Sequence, residues 1–242
     1  MQLLALDTST ETMSIAVQRT LDGQVRVWQH SAPGGAQTSS QLIPAIQHLL
    51  AQAGLLIGQL EAIAFGCGPG SFTGLRTACS VAQGLAFGAG IQVLPVDTLL
   101  AVAEQARFEH AREAQQLHVL SLLDARMDEL YAGHYRYADG HWTQLRDFSL
   151  IRPEHLALEP GWLLAGNVWD AYAQRLPAGA STGFKTLPSA SAMLRLAPQL
   201  LALGAAIDPA LALPRYIRDK VAKTSHERAV ERERATQEAP PP

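Results

Sequence analysis

The stretch Ala64-Phe65-Gly66-Cys67-Gly68-Pro69-Gly70-Ser71-Phe72-Thr73-Gly74-Leu75-Arg76 constrains this chain more than any other. The apolar run 60–65 before it reads as a buried strand, and the apolar segment 75–89 after it reads as a helix. Strand, glycine turn and helix is the layout in which backbone amides at a helix start cradle an anion. It is equally the layout of a tight turn that seats a helix on a sheet. No Lys follows the glycines, so the stretch is not a phosphate-binding loop of the G-x-x-x-x-G-K type. From Gly68 the spacing is G-x-G-x-x-x-G, which is not the dinucleotide fingerprint. Ser71 has Thr73 where a nucleophile elbow needs glycine. Ser71 or Thr73 can cap the helix, and Arg76 in its first turn can meet an anion or a partner's carboxylate.

The chain has 242 residues, 48% hydrophobic and 17% charged, enough for one large domain or two modest ones. Its formal charge of −3 argues against a broad basic surface for nucleic acid. Cys67 and Cys79 flank the glycine turn, and in so thiol-poor a chain they are expected to be reduced. No basic-then-apolar leader opens the sequence, and Gln, Gly and Ser interrupt its longest apolar segments. A soluble, cytoplasmic protein is expected.

Along the chain, 3–6, 13–18 and 24–30 read as three antiparallel strands, the last two joined at Asp22-Gly23. A helix from Thr38 or Ser39 to Ala53 is closed by Gly54, and strands are expected at 61–66 and 91–96. Asp97-Thr98 can cap a helix over 99–109. The order β-β-β-α-β-α-β indicates a mixed sheet with helices on its faces. The second half opens as the first did. Strand 117–123 ends in Asp124, and 129–137 and 142–150 follow as a pair turned at Asp139-Gly140. A strand at 162–165 and helices at 168–175 and 190–203 complete the reading. The echo suggests two related lobes, 1–98 and a reduced 99–223, with 224–242 a frayed, charged tail.

The candidate sites each carry a bland alternative. Asp7-Thr8-Ser9-Thr10 can hold a metal-bound phosphate, but acids and hydroxyls are ordinary turn chemistry, and no glycine lies between Asp7 and Met13. Asp124-Ala125-Arg126-Met127-Asp128-Glu129 can be acid–base machinery or a metal site, and more often such a run is a solvated turn with an internal ion pair. The histidines show no H-x-x-x-H or H-E-x-x-H spacing. No catalytic constellation assembles, and no metal or intrinsic cofactor is expected. Both helices of the first half have apolar stripes wider than one core-facing side, which suits either a sandwiched helix or one that meets another protein.

The segments 6–10, 68–76, 124–131 and Pro214-Arg215-Tyr216-Ile217-Arg218 occur in the order found in the TsaB (YeaZ) family, which the chain resembles over nearly its whole length. The resemblance implies a two-lobed α/β fold of actin/Hsp70-like, ribonuclease-H type, with a degenerate second lobe. It implies a non-catalytic scaffold in making the tRNA modification N6-threonylcarbamoyladenosine. The partner would be the transferase TsaD, with the ATPase TsaE joining the assembly, and the chain alone would be a homodimer. A nucleotide at the partner interface is allowed, and tRNA would be met only through the complex. The family interface uses the helices that match 39–53 and 75–89, which points to Leu42, Ala45, Ile46 and Leu49, and to Ala78, Val81, Ala82 and Leu85. Gly68, Gly70, Ser71, Thr73, Gly74 and Arg76 are the signature turn. Segment 33–40 departs from the family's basic-His-Ser/Thr pattern before the first helix. The rival function from another class is an ATP-dependent transferase or nucleotide hydrolase working through Asp7 and the glycine stretch.

Overall fold

A computed structural model describes residues 1–35 and 38–218. The tail expected over 224–242 lies outside the described residues. Two mixed sheets are built on one plan. In the first, β1 (Gln2–Asp7), β2 (Thr12–Leu21) and β3 (Gln24–Pro33) form an antiparallel meander. Strands β4 (Ala62–Gly68) and β5 (Gln92–Asp97) add in parallel on the other side of β1, in the order β3-β2-β1-β4-β5. In the second, β6 (Gln116–Arg126) is the central strand. It pairs antiparallel with β7 (Glu129–Ala138), which carries β8 (His141–Gln144) and β9 (Ser149–Ile151). Strand β10 (Leu163–Gly166) joins β6 in parallel, and the two-residue β11 (Phe184–Lys185) joins β10.

Side-chain alternation along the strands sorts the core into layers. Leu4 and Leu6 of β1 face outward, under α1 (Thr38–Ala53) and α2 (Phe72–Ala89). Leu3 and Ala5 face inward, onto α3 (Thr98–His110) and α5 (Ala190–Ala202), which lie between the sheets. The outer face of the second sheet is covered by the one-turn α4 (Trp169–Tyr172) and short 3-10 turns around Leu156 and Ala180. The caps are local. Ser71 accepts from the Gly74 N–H at the start of α2, Asp97 from Leu99 at α3, and Ser189 from Ala192 at α5.

Three expectations are revised. Segment 142–150 is two strands rather than one, because residues 145–148 oppose only 133–134 of β7 and must bulge out of the ladder. The helix expected over 168–175 is a single turn, and β11 was not foreseen. The chain also does not remain in the second lobe after residue 99. Helix α5 packs on β1, β2, β4 and β5, Ile207 bridges Val93 of β5, and Ala212 is buried beneath α2.

Candidate functional site

A cavity of about 800 Å³ lies between the lobes. Its walls are the β1–β2 turn, the glycine loop with the start of α2, the β6–β7 turn, Asn167, and the extended segment 215–218. The four motifs singled out in the sequence therefore meet at one place.

The glycine loop is welded to the β1–β2 turn. Ser71 N–H donates to the Ser9 carbonyl at 2.7 Å, and Thr8 Oγ1 donates to the Gly74 carbonyl at 2.6 Å. A Cβ at Gly74 would run into the Thr8 carbonyl oxygen, and one at Gly70 would lie 2.7 Å from Ser9 Cβ. Gly66 leaves room for the Asp7 carboxylate. Gly68, at φ +123°, lets the Arg215 carbonyl pass. Some of the loop's amides are engaged as well: Gly68 N–H donates to Thr98 Oγ1, and Gly74 N–H to Ser71 Oγ. The loop is a tight turn.

Asp7 is wholly buried and does not line the cavity. Its Oδ1 accepts the Ser9 N–H at 3.0 Å and the Ser9 hydroxyl at 2.7 Å, while Oδ2 has no partner. Burial raises its pKa to about 6, against the pull of the Ser9 bonds. Asp97 does more than cap α3. Its Oδ2 accepts the Tyr135 hydroxyl at 2.5 Å, a bond between lobes that no local sequence pattern signals, and burial raises this carboxyl to about 6 as well. Cys67 and Cys79 are both free, and burial with Asp97 nearby pushes the Cys67 thiol up to about 12, so it is protonated and unreactive near neutrality.

Each acid at the β6–β7 turn has a basic partner. Asp124 pairs with Arg126 at 2.9 Å and accepts the Tyr172 hydroxyl, Asp128 pairs with Arg175 at 2.6 Å, and Glu129 pairs with Arg218. Within the chain, Arg76 is held by aromatic side chains. Its Nε donates to the Tyr216 hydroxyl at 3.0 Å, and its guanidinium lies 3.8 Å from the Phe72 ring centre. Among the described residues, no three His, Cys, Asp or Glu side chains converge as a metal-ligand set.

The residues named for a partner interface need correction. Leu42, Ile46, Leu49, Ala78 and Ala82 are buried against the outer face of the first sheet, so they are core. Ala45, Val81 and Leu85 are half-buried on the edge of that packing. The large apolar side chains these helices turn outward are Ile43, Phe72 and Phe87, at 42%, 38% and 74% exposure. Periodicity identified the stripe but not which side of it the chain's own sheet would take.

Residues 28–167 match the family model described as TsaD: tRNA N6-adenosine threonylcarbamoyltransferase. The tRNA threonylcarbamoyladenosine biosynthesis protein TsaB of Escherichia coli K12 is 33% identical over 92% of this chain and 96% of its own length. TsaB of Haemophilus influenzae is 35% identical over 81% and 84%. The solved structure of YeaZ from Pseudomonas aeruginosa superposes with a TM-score of 0.78 at 35% identity, covering 89% of this chain and 99% of that one. The fold is thus the two-lobed α/β arrangement of actin/ribonuclease-H type shared with TsaD-like domains. On these relationships the chain belongs to the TsaB (YeaZ) family.

Proposed function

We propose that the chain works in tRNA threonylcarbamoyladenosine synthesis as a non-catalytic subunit that binds and supports a TsaD homologue. Function has to be argued from the site rather than the fold, and one observation carries this reading. The carboxylate best placed for phosphate chemistry, Asp7, is sealed behind Gly66 and Ser9, and the Gly68, Ser71 and Gly74 amides of the loop beside it are engaged in internal bonds. A cleft wired this way presents a surface, not a reaction centre. The partner would dock on the outward faces of α1 and α2, around Ile43 and Phe87, with a TsaE homologue joining the assembly and any nucleotide held at the shared interface. The chain alone would pair with itself through the same faces, and tRNA would be met through the complex.

Co-purification with a TsaD homologue tests the reading. Ile43→Glu and Phe87→Glu change exposed positions, so both variants should melt like the parent and together abolish capture of TsaD. Full capture by the double variant would remove these faces from the interface. Calorimetry with magnesium-ATP on the isolated chain tests the non-catalytic half: a tight site that disappears in Asp7→Asn would make the rival transferase the better reading.

A further inference from the structure

The segment 214–218 belongs to neither lobe and touches both. On the first lobe, Arg215 N–H donates to the Cys67 carbonyl at 2.6 Å, and the Arg215 carbonyl fills the space that Gly68 leaves open. Tyr216 packs on Phe72 with ring centres 5.1 Å apart and accepts the Arg76 Nε–H. On the second lobe, the Arg215 guanidinium lies 4.4 Å from the Phe148 ring centre. Arg218 pairs with Glu129, donates to the Arg126 carbonyl at 3.3 Å, and approaches Met127 Sδ at 3.0 Å.

What Arg218 grips is itself unusual. Arg126, Met127 and Asp128 have φ values of 61°, 55° and 61°, three successive non-glycine residues in the left-handed region. L-residues avoid that region, and consecutive occupancy persists only where the surroundings over-determine it. Here the surroundings are Asp124 on the Arg126 amide, Arg175 on Asp128, and Arg218 over the Arg126 carbonyl and Met127. The Arg218 side chain is 14% exposed and that of Glu129 is 32% exposed, so a group entering the cleft can compete for the pair.

We propose that segment 214–218 is a latch between the lobes: with Arg218 on Glu129 it holds the strained 126–128 turn and keeps the cleft closed, and its release lets the turn relax and the lobes part. The device goes beyond the partner reading and is testable on the chain alone. Hydrogen exchange of the full chain should rise at least tenfold in Arg218→Ala within both 124–130 and 212–218, while α1 and β2 stay at parental rates. The charge-swapped pair Arg218→Glu with Glu129→Arg should restore slow exchange at 212–218.

Strain makes a sharper demand. Asn tolerates the left-handed region, so adding Met127→Asn to Arg218→Ala should remove at least half of the extra exchange at 124–130. If Arg218→Ala fails to fold, Glu129→Gln cuts the same ion pair while keeping the arginine. Loosening of 212–218 alone, with 124–130 unmoved, would reduce the segment to a tether and overturn the latch. So would a uniform rise along the whole chain, or a Met127→Asn variant with no effect on the Arg218→Ala background.

Discussion

Asp7 shows how far a single side chain departs from what its neighbours in sequence suggest. The Asp7-Thr8-Ser9-Thr10 run was legible as a turn, and the Asx-type bonds from Ser9 bear that out. What the run did not reveal is that Oδ2 would face Gly66, 59 positions later in the chain, with no polar partner. The consequence is thermodynamic. Burial lifts the folded-state pKa to about 6, above the ordinary 3.8, so between those limits the folded chain keeps a proton that the unfolded chain has lost. The stability contributed by protonated Asp7 is complete below the lower value and is lost as pH rises through the upper one. Single-site linkage makes the further loss between pH 5 and pH 8 about 1–2 kcal/mol. Asp7→Asn carries no such titration. In urea unfolding at the two pH values, the stability of wild type relative to the variant should therefore fall by that amount at the higher pH. A gap that is the same at both would show that Asp7 does not ionise at this cost.

Helix α2 is where local preference and packing oppose each other most clearly. Its inward residues Ala78, Ala82 and Ala86 are small where the helix sits close on β4, whereas the family resemblance points to Ala78 and Ala82 as part of a partner interface. Alternation and helical period say which residues share a face, but not whose surface meets it. For that reason the element existed in the sequence while its orientation did not. Gly74 and Gly84 turn this into a test. Alanine is the better helix former at both positions by roughly 1 kcal/mol, and at Gly84 an added Cβ meets nothing within 4 Å, so Gly84→Ala should stabilise the chain. At Gly74 the Cβ would collide with the Thr8 carbonyl oxygen, and backbone cannot swing aside as a flexible side chain does. Overpacking of this kind costs about 1–3 kcal/mol and should outweigh the propensity gain, so Gly74→Ala should destabilise. Melting temperatures displaced in the same direction would mean that α2 is not seated on the β1–β2 turn as described.

Across the whole molecule, the repeated strand plan was legible because in each half an apolar run leads to an acid, Asp7 or Asp124, and an antiparallel pair follows. The fastening of the lobes was not legible, since it depends on residues far apart in the chain. Glu104 of α3 is its centre. It accepts from Arg107 Nε at 2.9 Å, Arg195 Nε of α5 at 2.7 Å and Trp142 Nε1 of β8 at 3.0 Å, with its side chain only 3% exposed. Burial alone would raise this carboxyl, and the bonds from Arg107, Trp142 and Arg195 bring it below the usual range. A layer shared in this way by both sheets should make the lobes unfold together. Removing the charge leaves two arginines without their common partner, which for a buried pair costs about 3–5 kcal/mol. Glu104→Gln should therefore lower the urea midpoint of the first lobe, read by labelling of Cys79, by the same amount as that of the second. The second is read by tryptophan fluorescence in a Trp28→Phe background, which leaves Trp142, Trp162 and Trp169 as reporters. If the fluorescence midpoint fell while Cys79 stayed protected, the two sheets would be separate cooperative units and Glu104 a feature of one of them.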